Sequence, residues 1–170
     1  MDIRISGTVN DSIVDGPGIR YVIFTQGCPH HCPGCHNPQT HEMSGGEITD
    51  TQAIIEEFRK NPLLDGITLS GGEPFCQPQP LCEIAEAAVS YGLNIVTYTG
   101  YTFEQLLEKS ESDIFIPKLL LLTDLLIDGR FVKEQKTLDE AFKGSANQRI
   151  LDCKKSFEQR IAIEWEEEYF

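Results

Sequence analysis

"QGCPHHCPGCHNPQT", residues Gln26 to Thr40, packs three cysteines, three histidines and three prolines into fifteen residues. It follows "YVIFT", Tyr21–Thr25, whose β-branched and aromatic residues read as a buried strand. Similar strand-length runs occur at Gly66–Leu69, Leu93–Tyr98 and Leu125–Ile127. Between the second and third, Leu81, Ile84, Ala85, Ala88 and Val89 recur at helical spacing, with Gly92 as a C-terminal stop. Shorter helices are expected at Gln52–Arg59 and Phe103–Lys109, the latter opened by Thr102 and Gln105 at capping-box spacing. Strand and helix alternate, which predicts parallel strands joined by right-handed crossovers, hence an α/β sheet or a barrel segment. Ligands of such sheets sit beyond the C-terminal strand ends. There the sequence places the cysteine cluster, Ser70-Gly71-Gly72-Glu73-Pro74, Thr99-Gly100-Tyr101-Thr102 and Asp128-Gly129-Arg130, so all four segments should share one rim.

At 170 residues the chain suits a single domain, 1–170, well short of the roughly 250 residues of a closed eight-unit barrel. A formal charge of −13 and a pI near 4.6 argue against nucleic acid or an anionic membrane surface as the main partner. The start lacks a basic, hydrophobic leader, and the longest aliphatic run, Leu119 to Leu122, is too short to span a bilayer, so a cytoplasmic protein is expected. In a reducing compartment its six cysteines are expected as metal ligands, redox groups or buried thiols rather than disulfides.

Cys28-x-x-x-Cys32-x-x-Cys35, with His36 adjacent, admits four readings, and spacing alone excludes none. Cys32-Pro-Gly-Cys35-His36 has the attachment pattern of c-type haem, which normally requires export. A thioredoxin-like dithiol would open a helix, for which Pro33-Gly34 and His36-Asn37-Pro38 are poor material, and it leaves Cys28 unexplained. A structural zinc site could combine the three cysteines with His30, His31, His36 or His41 in a small interaction module. The fourth reading is an iron–sulfur cluster. A [4Fe–4S] cluster ordinarily takes four thiolates, so three would leave one iron open to a bidentate small molecule.

"SGGE" occurs twice. Ser44–Glu47 follows polar residues and reads as a surface turn before the Gln52 helix. Ser70–Glu73 follows an apolar strand; there glycines allow unusual backbone angles and close approach to a ligand, and Glu73 can accept bonds from a cationic amine.

Three thiols after one strand and Gly-Gly-Glu after the next resemble the radical S-adenosylmethionine enzymes. "SIVDGPGIRYVIFTQGCPHHCPGCHNPQTH", Ser12 to His41, resembles the signature of the glycyl-radical-enzyme activases. "TGYTFEQL" (Thr99–Leu106), "LLIDGRFV" (Leu125–Val132) and "GSANQRI" (Gly144–Ile150) are most similar to the branch serving anaerobic ribonucleoside-triphosphate reductase. Recognisable segments cover residues 12–150. The resemblance implies an incomplete TIM-type βα barrel, a radical S-adenosylmethionine core open on one side to admit the partner's glycine loop. It implies one [4Fe–4S] cluster on Cys28, Cys32 and Cys35, with S-adenosyl-L-methionine chelating the open iron. Gly71, Gly72 and Glu73 would hold its amino end, and Gly34, Cys35 and His36 would contact it. The implied partners are the glycyl-radical subunit of the reductase, or pyruvate formate-lyase or another glycyl-radical enzyme, and an electron donor such as flavodoxin or ferredoxin. The hard chemistry is the cofactor's, so no acid/base residue is assigned. Cys76, Cys82 and Cys153 are read as buried or incidental thiols, His30 and His31 as solvated loop residues, and Asp128 with Arg130 either as contacts to ribose or partner or as a strand-ending turn. The acidic C-terminal stretch, 155–170, is read as a solvated face around Glu164 to Glu168.

Overall fold

The four expected strands form as β2 (Arg20–Thr25), β4 (Gly66–Gly71), β5 (Asn94–Tyr98) and β6 (Leu125–Asp128), in a computed structural model that describes residues 1–166. They run parallel and in that order. Three antiparallel strands that the apolar pattern did not reveal flank them: β1 (Asp2–Ser12), β3 (Glu47–Asp50) and β7 (Arg149–Asp152). The seven-stranded order is β3-β1-β2-β4-β5-β6-β7, and the sheet does not close. The expected incomplete barrel is therefore met at the level of an open, mixed α/β sheet.

Helix α1 (Thr51–Arg59) starts where the Asp50 carboxylate accepts from Gln52 N at 2.8 Å, and it buries Ile54, Ile55 and Phe58. Helix α2 (Pro78–Ser90) has proline in its first turn and buries Leu81, Ile84, Ala85 and Ala88; Val89, assigned to the same stripe from sequence, is exposed at the stripe's edge. Helix α3 (Phe103–Lys109) is opened by the reciprocal bonds of Thr102 and Gln105. The aliphatic run ending at Leu122 belongs to α4 (Phe115–Leu122), and α5 (Cys153–Gln159) follows β7. Among the described residues, no helix is long and apolar enough to cross a membrane.

The pleat sorts each strand between two environments. Tyr21, Ile23, Ile67, Leu69, Ile95 and Leu126 join the main core with the helices. On the opposite face, Val96, Leu125 and Ile127 form a smaller cluster with Tyr98, Ile150 and Trp165. Trp165 corrects the reading of the C-terminal stretch as wholly solvated. Its main-chain N–H donates to Ile150 O and Glu164 bridges to Leu151, although Glu164 and Glu166 themselves are exposed. Glu167 and Glu168 of that reading lie outside the described residues.

Arg20 holds the segment between β1 and β2 across this second face. Its buried guanidinium donates to Thr68 Oγ1 at 2.7 Å and to the carbonyls of Pro17 (2.8 Å), Ile67 (2.7 Å) and Asn94 (3.2 Å). Thr68 Oγ1 in turn donates to Asp15 O at 2.7 Å. Burial pushes the Arg20 group down to about 10, against the opposing pull of Asp124 and Asp65. Arg20→Ala would strand several buried acceptors, so urea unfolding at neutral pH should show a loss on the order of 3 kcal/mol.

Candidate metal and cofactor site

The cysteine cluster forms a loop tied shut at its base. Gly27 N donates to Thr40 O at 2.7 Å and Cys28 N to His41 O at 3.1 Å, while Gln26 Nε2 reaches Gln39 O and Glu42 O. Inside the loop, Cys35 N donates to Cys32 O at 3.1 Å across Pro33-Gly34, with Gly34 at φ +74°. Gly34 also lies against Phe131 and the stem of Lys133, and the His36 ring stands 5.0 Å from that of Phe131. The loop after β6 thus buttresses the loop after β2.

Cys28, Cys32 and Cys35 line one cavity of about 310 Å³, together with His30, His36, His41, Ser70, Gly71, Gly72, Thr99, Gly100 and Gly129. The segments after all four parallel strands meet there, as the strand pattern predicts. Among the described residues, no three His, Cys, Asp or Glu side chains are gathered tightly enough to hold a single metal ion; the thiols stand around a shared space instead. Each is met by backbone N–H groups. Those of His30 and His31 face the Cys28 sulfur, that of Phe131 faces Cys32, and Asn37 N donates to Cys35 Sγ at 3.4 Å. Burial pushes the Cys28 and Cys32 thiols up, and these donors oppose the shift by favouring thiolate. Three thiols around one cavity, each served by N–H donors, suit an iron–sulfur cluster, whose thiolates are stabilised by such bonds. The His41 Nε2 adds a buried polar atom without a hydrogen-bond partner on the same wall. Cys76 is exposed, Cys82 and Cys153 are buried, and none of the three lines the cavity.

The glycines after β4 are required for a reason invisible in the sequence. A Cβ on Gly72 would stand 2.3 Å from Gly27 O and 2.9 Å from Thr40 O; one on Gly71, at φ +98°, would stand 2.4 Å from Thr25 N. Their missing side chains let the turn press against the root of the cysteine loop, where Gly72 N donates to Thr25 O and Glu73 N to Gly27 O, both at 2.8 Å. The other "SGGE" is the expected surface turn, though β3 intervenes before α1, and Arg4 Nη1 donates to the carbonyls of Ser44 and Gly45.

Glu73 is fully buried. Its carboxylate accepts from Gly100 N (2.8 Å), Phe75 N (3.0 Å), Thr99 Oγ1 (2.8 and 3.0 Å) and His30 Nε2 (2.7 Å). His30 is therefore not a solvated loop residue: its side chain is 3% exposed because it answers a buried carboxylate. His31 is exposed at φ +48°, its ring edge-on to His41 at 5.1 Å. Asp128 fits the strand-ending turn, accepting from Phe103 N at 2.7 Å and Arg149 Nε at 3.0 Å, while Arg130 is exposed. Thr99, Gly100 and Phe131 escaped the sequence reading as site residues, and His41 entered it only as a candidate zinc ligand; the strand-end rule had placed Thr99 and Gly100 on the rim without giving them a role.

An open α/β sheet with a three-thiol loop and a Gly-Gly-Glu turn at its strand ends defines an iron–sulfur protein, and residues 14–151 match the family described as "4Fe-4S single cluster domain". The anaerobic ribonucleoside-triphosphate reductase-activating protein of Escherichia coli K12 is 34% identical over 149 residues, covering 81% of this chain and 91% of that protein. Its counterpart in Enterobacteria phage T4 is 34% identical over 145 residues, 81% of this chain and 86% of the phage protein. The pyruvate formate-lyase-activating enzyme of Clostridium pasteurianum is 38% identical over 117 residues, but the match spans only 49% of its length. The chain belongs to the anaerobic ribonucleoside-triphosphate reductase-activating protein family, within the glycyl-radical-enzyme activating enzymes. Gly72→Ala, whose methyl group meets main-chain oxygens rather than flexible side chains, should disrupt the root of the cysteine loop. Anaerobic reconstitution should give a variant holding clearly less iron and sulfide than the wild type, whereas Gly7→Ala, in open space on β1, should load normally.

Proposed function

We infer that the protein activates anaerobic ribonucleoside-triphosphate reductase by generating a glycyl radical on it. The observation that carries this is the meeting of Cys28, Cys32, Cys35 and the Gly71-Gly72 turn on one cavity wall, in a chain matching nearly the full length of relatives named for that activity. When bound, a [4Fe–4S] cluster would supply the one electron for cleavage of the S-adenosylmethionine sulfonium to methionine and a 5′-deoxyadenosyl radical, which would take a hydrogen atom from a glycine Cα of the reductase.

The chain's own residues bind and orient. Cys28, Cys32 and Cys35 would hold the cluster, and S-adenosylmethionine would bind beside it through its amino and carboxylate groups. Gly71 and Gly72 on the cavity wall hold the amino end, with Glu73, its carboxylate already filled by protein donors, bracing the turn behind them, and Gly34, Cys35 and His36 supply contacts from the cysteine loop. Backbone N–H groups facing the three sulfurs stabilise the thiolates and tune the potential. The open sheet acts as a partial βα barrel of the radical S-adenosylmethionine kind, within one domain spanning 1–170, and its missing side admits the glycine-bearing loop. Flavodoxin or ferredoxin is the class of donor that supplies the electron in the cytoplasm. The match to the pyruvate formate-lyase-activating enzyme covers about half of that relative, which favours the reductase as partner.

The test is anaerobic mixing of reconstituted protein, reductant, S-adenosylmethionine and the reductase, read by EPR. A glycyl-radical signal is expected, and Cys28→Ala, Cys32→Ala and Cys35→Ala should each abolish both cluster and signal. A protein that loads four irons and cleaves S-adenosylmethionine yet yields no reductase radical would refute the choice of partner; a colourless protein with one zinc would refute the enzyme.

A further inference from the structure

Glu73 offers about four lone-pair positions, and four donors fill them. Three belong to the turn and strand ends around it: the N–H groups of Phe75 and Gly100 and the hydroxyl of Thr99. The fourth, His30 Nε2, comes from the cysteine loop, midway between Cys28 and Cys32. Facing a carboxylate, Nε2 is the donor. The His30 ring leans on Gly100, where a Cβ would stand 2.4 Å from Cδ2 and 2.7 Å from Nε2, and meets Tyr101 edge-on at 4.5 Å. The main-chain N–H of the same residue faces the Cys28 sulfur. One residue therefore serves a thiol through its backbone and Glu73 through its side chain.

We propose that His30 is a positioning residue that fixes the cysteine loop and the Gly71–Glu73 turn at one separation, so that a single cofactor spans both. This rests on the site as read under Proposed function. A ligand gripped at one end by the loop and at the other by the turn binds well only if that span is held, and small displacements are costly. Neighbouring donors of this kind are commonly worth roughly 10- to 100-fold in binding. Gly100 is part of the device: without a side chain it leaves the imidazole its place over the carboxylate.

Wild type, His30→Ala, His30→Gln, Gly100→Ala and the Ala/Ala double variant would be reconstituted anaerobically with iron and sulfide. Iron content, affinity for S-adenosylmethionine, and the EPR spectrum of the reduced cluster with and without it would be compared. His30→Ala should load iron normally and bind S-adenosylmethionine roughly 10- to 100-fold more weakly. It should also lose the spectral change at concentrations that saturate the wild type. His30→Gln, which keeps a donor, should recover part of both. Gly100→Ala leaves its own N–H in place but takes the space of the imidazole, so it should weaken binding similarly. The double variant should be no weaker than His30→Ala alone. Wild-type affinity in His30→Ala, full additivity in the double variant, or iron loss that glutamine does not repair would each overturn the assignment. A wild-type cluster that ignores S-adenosylmethionine would instead overturn the proposed function, and this assignment with it.

Discussion

A carboxylate removed from water must be met by protein donors on every side, and Glu73 meets that demand with groups from the segments after three successive parallel strands. Phe75 belongs to its own turn, Thr99 and Gly100 to the end of β5, and His30 to the loop after β2. No apolar contact could enforce such a junction, because hydrophobic burial is non-directional. The glycines complete it from below: Gly71 and Gly72 let the turn sink against β2 until main chain bonds to main chain. The rim of the cavity is thus held together by polar bonds of fixed direction, above a sheet held by apolar packing.

The same division separates what was legible in the sequence from what was not. The four parallel strands announce themselves because they are buried on both faces and read as continuous apolar runs. Strand β1 alternates irregularly, shifts register between Ile5 and Gly7 and again between Val9 and Ser12, and leaves Val9 exposed; β3 has no fully buried residue. Neither carries the pattern that periodicity detects. Trp165 shows the converse limit, since the acidic residues around it hide an aromatic anchor whose burial depends on β7 lying beside it.

At the site, the cysteines and the second Gly-Gly-Glu could be chosen because their chemistry and strand-end position coincide. His30 could not, because an isolated histidine in a polar loop carries no sign of a partner 43 residues away. The reason for Gly100 was equally hidden, for it depends on which ring occupies the space beside it. Phe131 contributes a main-chain N–H and a packed ring, and any residue type supplies the first.

Strand β7 ends the parallel run by pairing with β6 in the opposite sense. A right-handed strand–helix–strand crossover lays the next strand parallel to the last, so the series cannot be continued past this edge in its own pattern. The failure of the sheet to close on itself is consequently a property of chain topology, written into the direction of one short strand.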